Sequence, residues 1–329
     1  HNRCVGSHTD QRIGNWHLSV VLPAWVAPNV PDNYVKACLH FALLKEFDHL
    51  YRYTNLLKMY NNIPTHKLVQ EYVEIPPGSP TIAHHLVPYD SVRKPVNFKK
   101  ADIMTILAVT IIPAGEQQTM NFYMNMGPTY ENDPGRMLYQ EIGMVEEQHV
   151  THYGSLMDPN GTWLENMLLH EYLECYLYYS FYTDEPDSRL KKLWERHLDQ
   201  EIAHLHSVKD LLKKYEKTDW QQLVPGEFPE LLHFHDTKEY VRDILAAQVE
   251  LTADREKFVD VGQLPESHEF FRYQELVNKN TRAVPSHAVI RDYISKNKKD
   301  YRSEDSPNPV KALTSRTKDE TGLGRKASS

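Results

Sequence analysis

The sequence predicts an all-α protein, and three observations carry that prediction. Only 13 of the 329 residues are glycine, which disfavours a turn-rich β architecture. Four consecutive stretches between residues 104 and 216 repeat apolar side chains at alternating steps of three and four, the period of a buried helical stripe. Turn signals separate those stretches at helical spacing: Asp133-Pro134, Asp158-Pro159-Asn160-Gly161 and Asp184-Glu185-Pro186-Asp187.

Residues 1–32 read as irregular. From Asn33 to Tyr60 an amphipathic helix is expected, with Asp32 as its N-cap. The stretch 61–98 contains PPGSP and little periodicity, and reads as a long connection. The first of the four stretches covers about 101–127. Pro113 and Gly115 must kink it or restart it, and its β-branched run Ile103–Ile112 leaves a strand as an alternative. The second runs from Asp133-Pro134 to about Tyr153, the third over about 162–182 and the fourth over about 187–216. Two further helices are expected, 237–258 and 286–297. The polar tail after Ser303 has the composition of a disordered segment. These divisions suggest an N-terminal extension at 1–100, a four-helix unit at 101–216, a C-terminal helical extension at 217–302 and a tail at 303–329.

Composition narrows the function. The chain is 40% hydrophobic and 25% charged, ordinary for a soluble globular protein, and its net charge of −8 gives no reason to expect nucleic acid or an anionic membrane as partner. Its longest apolar run, Ile103 to Ile112, is too short to span a bilayer. Cys4, Cys38 and Cys175 are too few and scattered for a disulfide scaffold or a CxxC site, so reduced thiols and a cytoplasmic location are the expectation. No signal peptide is visible, although numbering from His1 leaves room for a removed segment.

The chemistry lies where the stripes turn polar. The four read Val109, Ile112, Glu116, Thr119, Tyr123, Met126; Tyr139, Ile142, Glu146, His149, Tyr153, Leu156; Leu164, Met167, Glu171, Glu174, Tyr178, Phe181; and Leu190, Trp194, His197, Glu201, His204, Val208, Leu211, Tyr215. Apolar residues occupy both ends of each stripe and ligand types the middle. Burying so many ionisable groups is prohibitive unless cations neutralise them. Residues three apart on a helix project side by side, so Glu146–His149 and Glu201–His204 can each offer an oxygen and an imidazole. Mixed carboxylate and imidazole donors suit iron or manganese. The expected metal ligands are Glu116, Glu146, His149, Glu171, Glu174, His197, Glu201 and His204. Glu174 doubles as a proton carrier or redox-dependent ligand. Tyr178 is a candidate redox-active tyrosine, as are Tyr123 and Tyr153, although buried tyrosines mostly pack. With 18 histidines, stray ExxH matches arise by chance, and Glu46–His49 and Glu230–His233 read as such.

With these residues on four helices, the chain resembles the ferritin-like di-iron carboxylate superfamily, in which two helices contribute a Glu and two an ExxH. Glu171–Glu174 resembles the doubled glutamate of rubrerythrins, and His197 one turn before Glu201–His204 resembles the arrangement in di-iron arylamine N-oxygenases. The rubredoxin CxxC module is absent, and only Ser155 to Gly161 joins the second and third helices, favouring a hairpin over the long crossover of that superfamily. The resemblance implies a ferritin-like four-helix bundle with added terminal helices and long irregular segments. It also implies two Fe ions, or Mn or an Fe/Mn pair, and an oxidoreductase that activates O2 or peroxide, with an external electron donor, a small organic substrate and a homodimer as compatible partners. The alternatives are a non-enzymatic iron-binding or storage protein and a metal-free helical interaction protein.

Overall fold

The computed structural model describes residues 22–62, 88–233, 235–249, 265–278 and 295–298. Among them the protein is all-helical, with seven longer helices: α1 (Asn33–Asn61), α2 (Ile103–Met126), α3 (Asp133–Gly154), α4 (Trp163–Asp184), α5 (Ser188–Leu211), α6 (Lys238–Val249) and α7 (Glu269–Asn278). No described helix is long and apolar enough to cross a membrane.

Local chemistry sets the boundaries. Asp32 caps α1, its Oδ1 accepting from the Tyr34 and Val35 amides at 2.8 and 3.0 Å. Asp102, Asn132 and Asp187 cap α2, α3 and α5 in the same way. Thr162 and Glu165 form a reciprocal capping box at the start of α4. The run Ile103–Ile112 is helical, and Pro113 lies inside α2 without ending it. β-Branched residues here follow burial rather than local propensity, because Ile106, Val109, Ile111 and Ile112 enter the core.

Two antiparallel hairpins, α2–α3 and α4–α5, form the body of the fold. The hairpin expected across Ser155–Gly161 does not form: α4 packs on α5 and on α2 rather than on α3. The long helix α1 is the central element. From Val35 to Leu57 few of its described residues reach solvent, and burial takes in His40, Lys45, Glu46, Asp48 and His49 along with its apolar residues. It is therefore no appendage to a unit at 101–216. Its first half packs in one apolar core with Ile106–Ile112 of α2, Tyr153 of α3 and Leu168, Leu169, Tyr172 and Tyr176 of α4. Its second half shares another core with Tyr123, Tyr139, Ile142 and the α6 residues Val241 and Ile244. Along α2 and α3 the ionisable residues fall between the segments that enter these two cores. Helix α7 also packs on α1; the sequence did not suggest it. The expected helix at 286–297 and the tail lie mostly or wholly outside the described residues.

At the start of α3, a Cβ added to Gly135 would lie 2.1 Å from Cδ1 of the buried Tyr130 ring and 2.7 Å from its Cγ. Replacement of Gly135 by Ala should therefore destabilise the protein by about 1–3 kcal/mol through overpacking, read as a lower urea midpoint. An unchanged midpoint would mean that Tyr130 can swing aside freely.

Candidate metal centre

Helices α1, α2 and α3 bring five ionisable side chains together in the interior: Glu46 and His49, Glu116, and Glu146 and His149. Each is at most 3% exposed. Donor atoms of Glu46, Glu116, Glu146 and His149 all lie within 4.8 Å of one another, a grouping able to hold a metal ion. His149 Nδ1 stands 2.6 Å from Glu46 Oε1, 3.2 Å from Glu146 Oε2 and 3.5 Å from Glu116 Oε2. His49 Nδ1 meets Glu146 Oε1 at 2.9 Å and lies 3.8 Å from Glu46 Oε2. The two imidazole rings stack with centroids 5.8 Å apart.

The three carboxylates crowd one ring nitrogen without any of them being aligned to receive its hydrogen. Glu46 Oε1, Glu116 Oε2, Glu146 Oε2 and both nitrogens of His149 have no hydrogen-bond partner. Unsatisfied buried polar atoms are costly, and the three carboxylate oxygens gathered at His149 Nδ1 make a set that a cation would satisfy. The titration of these groups agrees. Burial, then the neighbouring Glu146, push Glu46 and Glu116 up to about 8. Burial alone would lower His149, yet Glu46, Glu116 and Glu146 hold it well above the usual histidine range. In His49 burial dominates and lowers the value to about 4. Bound metal would take over from protons the neutralisation of these carboxylates.

The donor set is able to hold a metal ion. Two helices each supply Glu and His three residues apart and a third supplies a lone Glu, one Glu short of the two-Glu, two-ExxH set of carboxylate-bridged dinuclear proteins. Glu46 and Glu146 each direct one oxygen toward His49 and the other toward His149, as bridging carboxylates do. Glu116 approaches only His149.

The expected ligands do not meet in one place. Glu116, Glu146 and His149 belong to the buried group. Glu171, Glu201 and His204 form a second group on the α4–α5 hairpin, again with donor atoms within 4.8 Å. There His204 Nδ1 lies 2.8 Å from Glu201 Oε2 and 3.7 Å from Glu171 Oε2. The His204 side chain is 60% exposed against 18% for Glu201 and 10% for Glu171, so this group opens to water through its imidazole. Burial, then its contact with Glu201, raises Glu171, and hydrogen bonding to Glu201 raises His204. Glu174 is raised by partial burial and stands outside the grouping. His197 stacks on Tyr178 with centroids 5.2 Å apart, and Tyr178 on Trp194 at 6.2 Å, an aromatic stack remote from the buried carboxylates. The tyrosines nearest the buried centre are Tyr53, Tyr123 and Tyr153, whose hydroxyls burial holds well above the usual range, with the centre's carboxylates adding to the effect.

One sequence expectation is corrected here. Glu46–His49 is not a chance match: both residues join the buried group. The signal was present, because Leu39, Phe41, Leu43, Phe47 and Leu50 place apolar residues on every side of that pair. Glu230 and His233, by contrast, lie on the surface, where His233 pairs with Asp184 at 2.8 Å. Compared with protein-family models, curated proteins and solved structures, the chain matches none. What can be said of it follows from an all-helical fold enclosing a Glu/His cluster able to bind metal.

Proposed function

We propose that α1, α2 and α3 hold a dinuclear iron or manganese centre and that the protein is an oxidoreductase using O2 or peroxide. The observation that carries this reading is the buried convergence of three carboxylates and two imidazoles, with donor atoms of Glu46, Glu116, Glu146 and His149 left without hydrogen-bond partners. When bound, such a metal pair supplies one- and two-electron redox chemistry. The residues of the chain do the remainder. Glu46 and Glu146, each reaching toward both imidazoles, would hold the metals together with His49 and His149 and offset their charge. Glu116, bound on one side only, is the carboxylate best placed to take up and release a proton. Tyr53, Tyr123, Tyr139 and Tyr153, all fully buried, wall the centre from water, which protects reactive oxygen species from side reactions.

Elemental analysis of freshly purified or anaerobically Fe(II)-loaded protein tests the reading. Close to two equivalents of iron or manganese are expected, and fewer than about half an equivalent would refute a dinuclear site. With a reductant present, the loaded protein should consume O2 or peroxide over many turnovers. A single stoichiometric oxidation would instead identify a storage protein.

A further inference from the structure

The face of α2 that carries Glu116 also borders an open cleft. The cleft has a volume of about 430 Å³ and runs between α2 and the segment Leu22–Pro23, within the usual size range of small-molecule sites. Resting on the redox reading above, we propose that this cleft is the substrate site and that it takes a neutral, largely apolar small molecule.

The argument comes from what lines it. Ile112, Thr119, Phe122 and Met126 lie along one face of α2 and, with Leu22 and Pro23, give the cleft a mainly apolar wall. Glu116 is the one ionisable residue among the described lining residues, and its carboxylate lies 3.5 Å from His149 Nδ1. The cleft therefore borders the helical turn that carries Glu116, while the Glu116 carboxylate itself turns into the buried centre. The solvent side is rimmed by Gln118, Asn121 and Asn125. Side-chain amides donate and accept hydrogen bonds without net charge, so they suit a hydroxyl, carbonyl or neutral amine. An anionic ligand would find no cation among the described lining residues to offset its charge. A cationic ligand would compete for a carboxylate already committed to the centre.

Gly115 keeps the floor open. A Cβ there would stand 3.5 Å from Leu22 Cδ2, ordinary contact, so a methyl group fits and anything larger fills the space between α2 and Leu22. A glycine inside a helix costs about 1 kcal/mol relative to alanine, and here that cost leaves room beside Glu116.

The test uses the full-length protein and three benzyl probes of nearly equal size: benzyl alcohol, benzoate and benzylammonium. Binding is followed by saturation-transfer NMR, with metal content measured on the same samples. Benzyl alcohol should bind at least about tenfold more tightly than either charged probe. Gly115→Ala should retain that binding, and Gly115→Phe should lose it while keeping the metal content of the wild type. Should Gly115→Phe not fold, Asn121→Trp, altering an exposed rim position, should weaken benzyl alcohol at least about fivefold. Equal binding of benzoate, wild-type affinity in the foldable occluded variant, or no binding of benzyl alcohol to the wild type would each overturn the proposal. Probe binding is read whether or not metal is present, so a protein that takes up no iron or manganese yet still binds benzyl alcohol beside Gly115 would refute the redox reading and leave the pocket standing.

Discussion

Glu46→Gln protein should contain less than about half an equivalent of iron or manganese where the wild type holds close to two. Glutamine has nearly the shape of glutamate and keeps one carbonyl oxygen, but it carries no charge, and a hard divalent cation in a dry site depends on that charge. Glu146→Gln should behave in the same way, since both side chains face both imidazoles. His49→Ala should lose at least one ion. The contrast that gives the experiment its force is with the second acidic group. Glu201→Gln and His204→Ala alter a face that is open to water and should leave the buried centre loaded. Urea unfolding of the metal-free variants separates ligand loss from misfolding. Removing one of three mutually repelling buried carboxylates should leave the apo protein as stable as the wild type or more so. A Glu46→Gln protein that loads fully would sink the ligand assignment. One whose apo form unfolds far more readily than the wild type would show Glu46 to be a structural group.

How much of this could be read from the chain depends on what a stripe of residues can encode. Helices α2 to α5 were legible because their caps are local: Asn132, Thr162 and Asp187 meet the first-turn amides of their own helices. Burial of Glu116, Glu146 and His149 was legible too, because each interrupts an otherwise apolar stripe. What periodicity does not encode is which neighbour a stripe faces. Helix α4 has apolar residues on two sides. The side that enters the main core is Leu168, Leu169, Tyr172 and Tyr176, whereas the stripe through Glu171 carries the group shared with Glu201 and His204 of α5. The same local rule misled at Glu46–His49. Judged as a bare ExxH it matches chance expectation, but a helix buried on nearly every side offers its polar residues no route to water. Any ionisable pair on it then needs a partner, and Glu116, Glu146 and His149 supply one only through tertiary contacts distant in sequence.

The metal-free protein should lose stability as pH rises from 6.5 to 8, and metal should abolish that loss. In the folded apo protein Glu46 and Glu116 titrate near 8, against about 4.3 for a glutamate in the unfolded chain. Between those values the folded state binds more protons than the unfolded state, so the unfolding free energy falls with rising pH. His149, also held above its ordinary value, acts in the same direction above pH 6.5. His49 and His152, both lowered by burial, act oppositely, but only below about 6.5, where their unfolded counterparts take up protons. Lys45, lowered by burial to about 8, contributes the opposite slope only above that value. The window from 6.5 to 8 therefore belongs to the carboxylates and His149, each retained proton contributing up to about 1.4 kcal/mol per pH unit. Urea midpoints of protein stripped with a chelator should fall across that window, while those of iron- or manganese-loaded protein should stay level or rise, since deprotonated ligands bind metal more tightly. Glu46→Gln should flatten the apo slope by removing one of its proton sites. An apo midpoint that climbs between pH 6.5 and 8 would mean that the carboxylates are already ionised in the folded protein, and the argument from their unpaired, protonated state would fail with it.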